Sequence, residues 1–136
     1  MSTAAKDDAV TDRYARLMTL AREVHDLGSA MGLLEWDQEV QMPPRGVAGR
    51  ARVRSTLAAG AHDRLVDEEL GALLADLNGA ELKPWAAANV RELKRRRDRA
   101  VKVPRQLVAD LAREGSLSQE AWATARKQDD WARFAP

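Results

Sequence analysis

Three groups of residues in this 136-residue chain carry types that could do chemistry. The first is a run of acids and an amide beside a tryptophan, Glu35-Trp36-Asp37-Gln38-Glu39, followed by Met42-Pro43-Pro44. Two carboxylates could serve as general acid and base if a cleft held them and pushed their pKa values apart. The second group is the two histidines, His25 and His62. A catalytic zinc site takes three protein ligands, often two His on one helical face with a carboxylate. These two are 37 positions apart, so capping or surface roles are the better account. The third is Arg91 to Arg105, where Arg91, Lys94, Arg95, Arg96, Arg97, Arg99, Lys102 and Arg105 stand against only Glu92 and Asp98. Eight cations and two carboxylates leave a local charge of +6. Such a run could meet phosphates. No aromatic is interleaved, however, and a solvated or internally paired face is favoured over a nucleic-acid partner.

Other chemistry is missing. Glu68-Glu69 and Asp129-Asp130 read as solvated helix ends. No nucleophile elbow, phosphate loop or Rossmann glycine pattern occurs. With no cysteine there is neither a disulfide framework nor a thiolate metal site, which favours a cytoplasmic setting. No run approaches the roughly 20 apolar residues of a membrane span. No catalytic or metal-binding residue is therefore expected within the chain, and no cofactor.

The elements that must position these groups are helical. From Val10, apolar residues step by four and three through Tyr14, Leu17, Ala21, Val24 and Met31, which predicts one long amphipathic helix ending before Met42-Pro43-Pro44. Gly28 and Gly32 lie four apart on it, as for close approach of another helix or a bend. A second helix is predicted over about Val47 to His62, burying Val53, Leu57 and Ala61. A short third, with an acidic start at Asp67, carries Leu70, Leu73, Leu74 and Leu77 and closes at Asn78-Gly79. The fourth runs from Pro84 to Val101. Pro104 starts a fifth through Trp122 and Ala125, interrupted or weakened at Gly115-Ser116. No segment alternates with period two. The expectation is an all-α fold, a single helical domain over residues 1–136 with a disordered tail over about residues 1–8.

In order and spacing, several of these segments resemble the N-terminal region of the carboxypeptidase Taq family. They are Leu33-Leu34-Glu35-Trp36-Asp37-Gln38-Glu39, Met42-Pro43-Pro44 before an Arg-containing helix, Asp67-Glu68-Glu69-Leu70-Gly71, Ala87-Ala88-Asn89-Val90-Arg91-Glu92-Leu93, Lys102-Val103-Pro104, Gln119-Glu120-Ala121-Trp122 and Phe134-Ala135-Pro136. The resemblance implies a helical zinc metallocarboxypeptidase in which helices such as these form a wall or lid over a deep cleft. Peptide substrate and zinc would then belong to a complete enzyme, whose zinc helix and carboxylate-recognising residues have no counterpart here. The chain reads as a truncated piece, inactive alone. Trp36 is expected to anchor the end of the first helix, Asp37 and Gln38 to fix that end or face the cleft, and Pro43-Pro44 to form a rigid turn. Apolar faces left without neighbours predict self-association into a homodimer or larger assembly. The alternative is a stand-alone interaction module that binds nucleic acid or an acidic partner through Arg91–Arg105.

Overall fold

A computed structural model of the chain describes residues 3–135, the side chains at positions 3–6, 44 and 134 excepted. The described elements are helices throughout. They are α1 (Thr3–Val40), a 3₁₀ turn (Pro44–Gly46), α2 (Val47–Val66), α3 (Glu68–Asp76), α4 (Pro84–Ala100), α5 (Arg105–Gln128) and the single turn α6 (Trp131–Phe134). Helix α1 begins at Thr3. Met1 and Ser2 lie outside the described residues.

Local chemistry explains most boundaries. Pro43 is extended and cannot donate to a helical ladder, so α1 stops before it, and the Asp37 carbonyl accepts the last amides, from Gln41 and Met42 at 2.9 Å each. The Asp67 carboxylate caps α3, accepting from the amides of Glu69 (2.8 Å) and Leu70 (3.4 Å). Gly79 takes the left-handed φ of +79° that closes the turn after α3. Pro84 occupies the first turn of α4, and Pro104 is the N-cap of α5.

The interior has two parts. Leu17 and Leu20 of α1 meet Leu70 and Leu74 of α3, Leu77 just after it, and Val90 and Leu93 of α4. The second part is built from small residues, Ala51, Ala58 and Ala59 in α2 with Ala109, Ser116 and Ala125 in α5. Side chains this short let helices approach closely. The α2–α5 pairing is the most extensive in the chain. The predicted inner stripe of α2 is corrected at Val53, which is 43% exposed, while Leu57 and Ala61 are half-buried and Ala51, Ala58 and Ala59 face inward. Helix α5 runs unbroken through Gly115-Ser116, because packing overrides the weak propensity there. Among the described residues, Gly28 and Gly32 do not abut another helix. A methyl group added at either would meet nothing within 4 Å.

Candidate functional site

The last two turns of α1 bring the first chemical group into contact with two other helices. Residues 34, 37 and 38 lie on its inward side. From α2, the Arg50 guanidinium donates to the Leu34 carbonyl and to the Asp37 carboxylate. One turn further along α2, Arg54 reaches Glu35 at 3.3 Å. Gln38 is 8% exposed and exchanges two hydrogen bonds with Ser116 of α5: its Nε2 donates to the Ser116 carbonyl (2.8 Å), and the Ser116 hydroxyl donates to its Oε1 (2.6 Å). Glu39 accepts from Gln119 Nε2 at 2.9 Å. Each polar residue of the run is thus committed to a partner that locks α1 against α2 or α5. The carboxylates that could have formed a general acid/base pair are held by separate partners, Glu35 by Arg54, Asp37 by Arg50 and Glu39 by Gln119.

Trp36 does not anchor the helix end. It is 59% exposed, because at 100° per residue it lies almost opposite the inward-facing Leu34 and Gln38. Gln38 performs the anchoring instead. Met42 folds back over the 3₁₀ turn, and its Cγ would lie 2.9 Å from any Cβ at Gly46, so only glycine leaves it room. Pro43 is extended and Pro44 opens the 3₁₀ turn, and the Pro44 side chain lies outside the described residues. An open groove of about 430 Å³ runs along this end of the molecule, between Gln38 and Glu39 on one side and Gln119, Glu120, Trp122 and Ala123 on the other. Its lining offers hydrogen bonds and carboxylates but no nucleophile.

The histidines stay apart. His25 is exposed on α1, with Ser29 Oγ at 3.4 Å. His62 Nε2 lies 3.1 Å from the Ala100 carbonyl and 2.9 Å from that of Val103; both are acceptors, so this nitrogen carries the proton. It caps the end of α4, which leaves Nδ1 buried without a hydrogen-bond partner among the described residues. With His25 exposed on α1 and His62 capping the end of α4, the two imidazoles are not brought together as zinc ligands. Among the described residues no group of three His, Asp or Glu stands close enough to hold a metal.

The basic run is drawn partly inward. Lys94 pairs with Asp98 (2.7 Å), Arg95 with Glu92 (2.8 Å) and Arg105 with Asp63 (2.8 Å). Arg97 crosses from α4 to cap α2, its Nη2 donating to the Val66 carbonyl at 3.0 Å and that of Asp67 at 3.2 Å. Gly71 makes that path possible, since a Cβ there would come within 2.6 Å of the guanidinium. Arg91, Arg96 and Arg99 remain on the solvent side. Asp129, in a left-handed turn at φ 52°, and Asp130, which caps α6, are helix-end residues as expected. The parts not foreseen from the sequence are the partners Arg50, Arg54, Ser116 and Gln119. The one visible signal was the spacing of Arg50 and Arg54, four apart on a helix that follows an acidic run.

No helix among the described residues is long and apolar enough to cross a membrane. No solved structure matches the chain with significance. The family model for carboxypeptidase Taq (M32) metallopeptidases matches residues 16–136. Two curated relatives are both called thermostable carboxypeptidase 1. The one from Thermus thermophilus is 36% identical over 127 residues, 90% of this chain and 25% of its own. The one from Pyrococcus furiosus is 29% identical over 126 residues, 89% of this chain and 24% of its own. The chain therefore spans about a quarter of the length of these relatives. On the strength of the match over residues 16–136, it belongs to the carboxypeptidase Taq (M32) metallopeptidase family.

Proposed function

We infer that this chain is the N-terminal helical portion of a carboxypeptidase Taq-like zinc metallocarboxypeptidase that removes residues from peptide C-termini when complete. The observation carrying the reading is the family match over residues 16–136, together with the quarter share of the relatives' length. On this reading the chain supplies structure rather than reacting groups. The locked end of α1, with Arg50, Gln38 and Ser116, is a rigid wall, and Glu39 and Glu120 face the groove beside it. A metal-dependent peptidase takes its nucleophile from water on the ion. Those ligands belong to the other three quarters of such an enzyme, and these residues alone are inactive. A chain without cysteine has no need of an oxidising compartment, which supports a cytoplasmic setting.

The test joins this chain to the portion of the Thermus thermophilus relative that lies beyond the matched region. Release of C-terminal amino acids from a peptide is then followed, beside zinc content and activity of the 136 residues alone. The expected result is turnover by the joined protein only, with no stoichiometric zinc on the short chain. Hydrolysis or one tightly bound zinc in the short chain would overturn the reading, as would a folded, zinc-loaded but inactive joined protein.

A further inference from the structure

The turn that closes α3 carries a side-chain amide and a backbone amide that are both exposed and unengaged. Asn78 and Gly79 lie at the surface, directly after Leu77, which is 1% exposed in the leucine core. The backbone amides on either side are held. That of Asn78 donates to the Ala75 carbonyl and that of Ala80 to the Leu77 carbonyl, at 3.2 Å each. The Gly79 amide between them donates to no backbone carbonyl among the described residues, the chain having left the helical ladder at φ +79°. The Asn78 carboxamide likewise has no hydrogen-bond partner among the described residues. Both residues border a small hollow that Arg91 and Lys94 also line.

We propose that Asn78-Gly79 is a site of spontaneous covalent modification, where the Asn78 carboxamide cyclises onto the Gly79 nitrogen and reopens with water as an aspartyl or isoaspartyl residue. The Gly79 nitrogen gives its proton to hydroxide and bonds to Asn78 Cγ. The bond from Cγ to Nδ2 breaks, and that nitrogen leaves as ammonia with a proton from water. Water then adds to the cyclic imide. Opening at Cγ restores the ordinary main chain with an aspartate side chain, whereas opening at the Asn78 carbonyl carbon routes the main chain through Cγ and lengthens it by a methylene. Either way, one amide and one water become one carboxylate and one ammonium ion. Glycine is the follower that suits this attack, since no Cβ crowds the nitrogen. Arg91 and Lys94 favour the negative charge that forms first on the nitrogen and then on the carboxylate. Lys94 is already paired with Asp98, while Arg91 has no ion pair among the described residues. Asn89, the other asparagine of the chain, is the internal contrast. It sits within α4, its Nδ2 donates to the Tyr14 hydroxyl at 2.8 Å, and the β-branched Val90 that follows it is buried in the same helix. The proposal does not rest on the peptidase reading.

The test ages the whole folded chain at mildly alkaline pH. Fragment-ion mass spectrometry then follows the amides of Asn78 and Asn89, and an isoaspartyl methyltransferase labels any isoaspartate. Asn78 is expected to lose its amide at least about tenfold faster than Asn89, which precedes a β-branched residue. Isoaspartate and aspartate should both form, at a rate that rises with pH as more of the Gly79 amide is deprotonated. One carboxylate is added to the 21 Asp and Glu, matching the 22 Lys and Arg, so the formal net charge falls from +1 to zero and isoelectric focusing separates the product. Asn78→Gln, at an exposed position, would have to close a larger ring and should take no label. An Asn78 amide that lasts as long as that of Asn89, aspartate formed without isoaspartate, or equal labelling of Asn78→Gln would each overturn the proposal. So would a native rate more than about tenfold below that of the urea-unfolded chain, because the fold would then be shielding the site.

Discussion

Among single residues, the most closely coupled pair is Gly71 and Arg97. Arg97 runs from α4 over α3 to the last carbonyls of α2, and the missing side chain of Gly71 is the channel it uses. Gly71→Ala gains about 1 kcal/mol of helix propensity. It also displaces a guanidinium whose hydrogen bonds, being charge-assisted, contribute about 1.5–3 kcal/mol. Gly71→Ala is therefore expected to destabilise the wild type but to stabilise an Arg97→Met background, measured by urea unfolding as a double-mutant cycle. Equal effects in both backgrounds would refute the coupling. At this scale the sequence was only half legible. Gln38 stood out as a polar group at a helix end, but Ser116 is 78 positions away, and a hydrophobic period tells which face turns inward without naming what meets it. Trp36 was misplaced for a related reason, because size and hydrophobicity suggested an anchor while its angular position pointed outward.

The helices themselves were legible almost to their ends, because proline, glycine and an acidic cap mark the boundaries with local chemistry that needs no tertiary information. The inner face of α2 was not. Alanine is a weak marker of burial, and the eye is drawn to Val53, yet close packing against α5 selects the smallest side chains. Ala59, 3% exposed, should tolerate no growth: Ala59→Leu is expected to cost about 1–3 kcal/mol by overpacking. Val53→Ala, on the exposed side of the same helix, should change stability by less than about 0.5 kcal/mol. Thermal unfolding followed by circular dichroism separates the two, and a similar loss from both would show that the alanine face is not the tight one.

Across the whole molecule α1 acts as a spine, its first half in the leucine core and its last turns locked to α2 and α5. Exposed ion pairs brace that spine from outside. Arg16 meets Glu69 of α3 at 2.6 Å, Arg13 meets Asp76, and Glu23 meets Arg64 of α2. The hydrogen bond from Arg16, with its charge, holds the Glu69 carboxyl below the ordinary glutamate range, and Arg16 is raised by the same contact. A depressed carboxylate stabilises the fold above its unfolded pKa. That contribution disappears as pH falls from the unfolded pKa through the lower folded one. Glu69→Gln should accordingly flatten the acid limb of stability against pH below neutral, and added salt should mimic the change. An acid limb identical to that of the wild type would exclude this pair as a contributor.

All four tryptophans of the chain lie at its surface, between 45% and 74% exposed. Their indoles are already in contact with water in the native protein, so the emission colour of the folded state should lie close to that of the denatured chain. Intrinsic fluorescence is then nearly blind to unfolding. It becomes a selective optical reporter of whatever covers the outside, with Trp36 shifting to the blue when its face is occupied and Trp122 when the groove beside it fills.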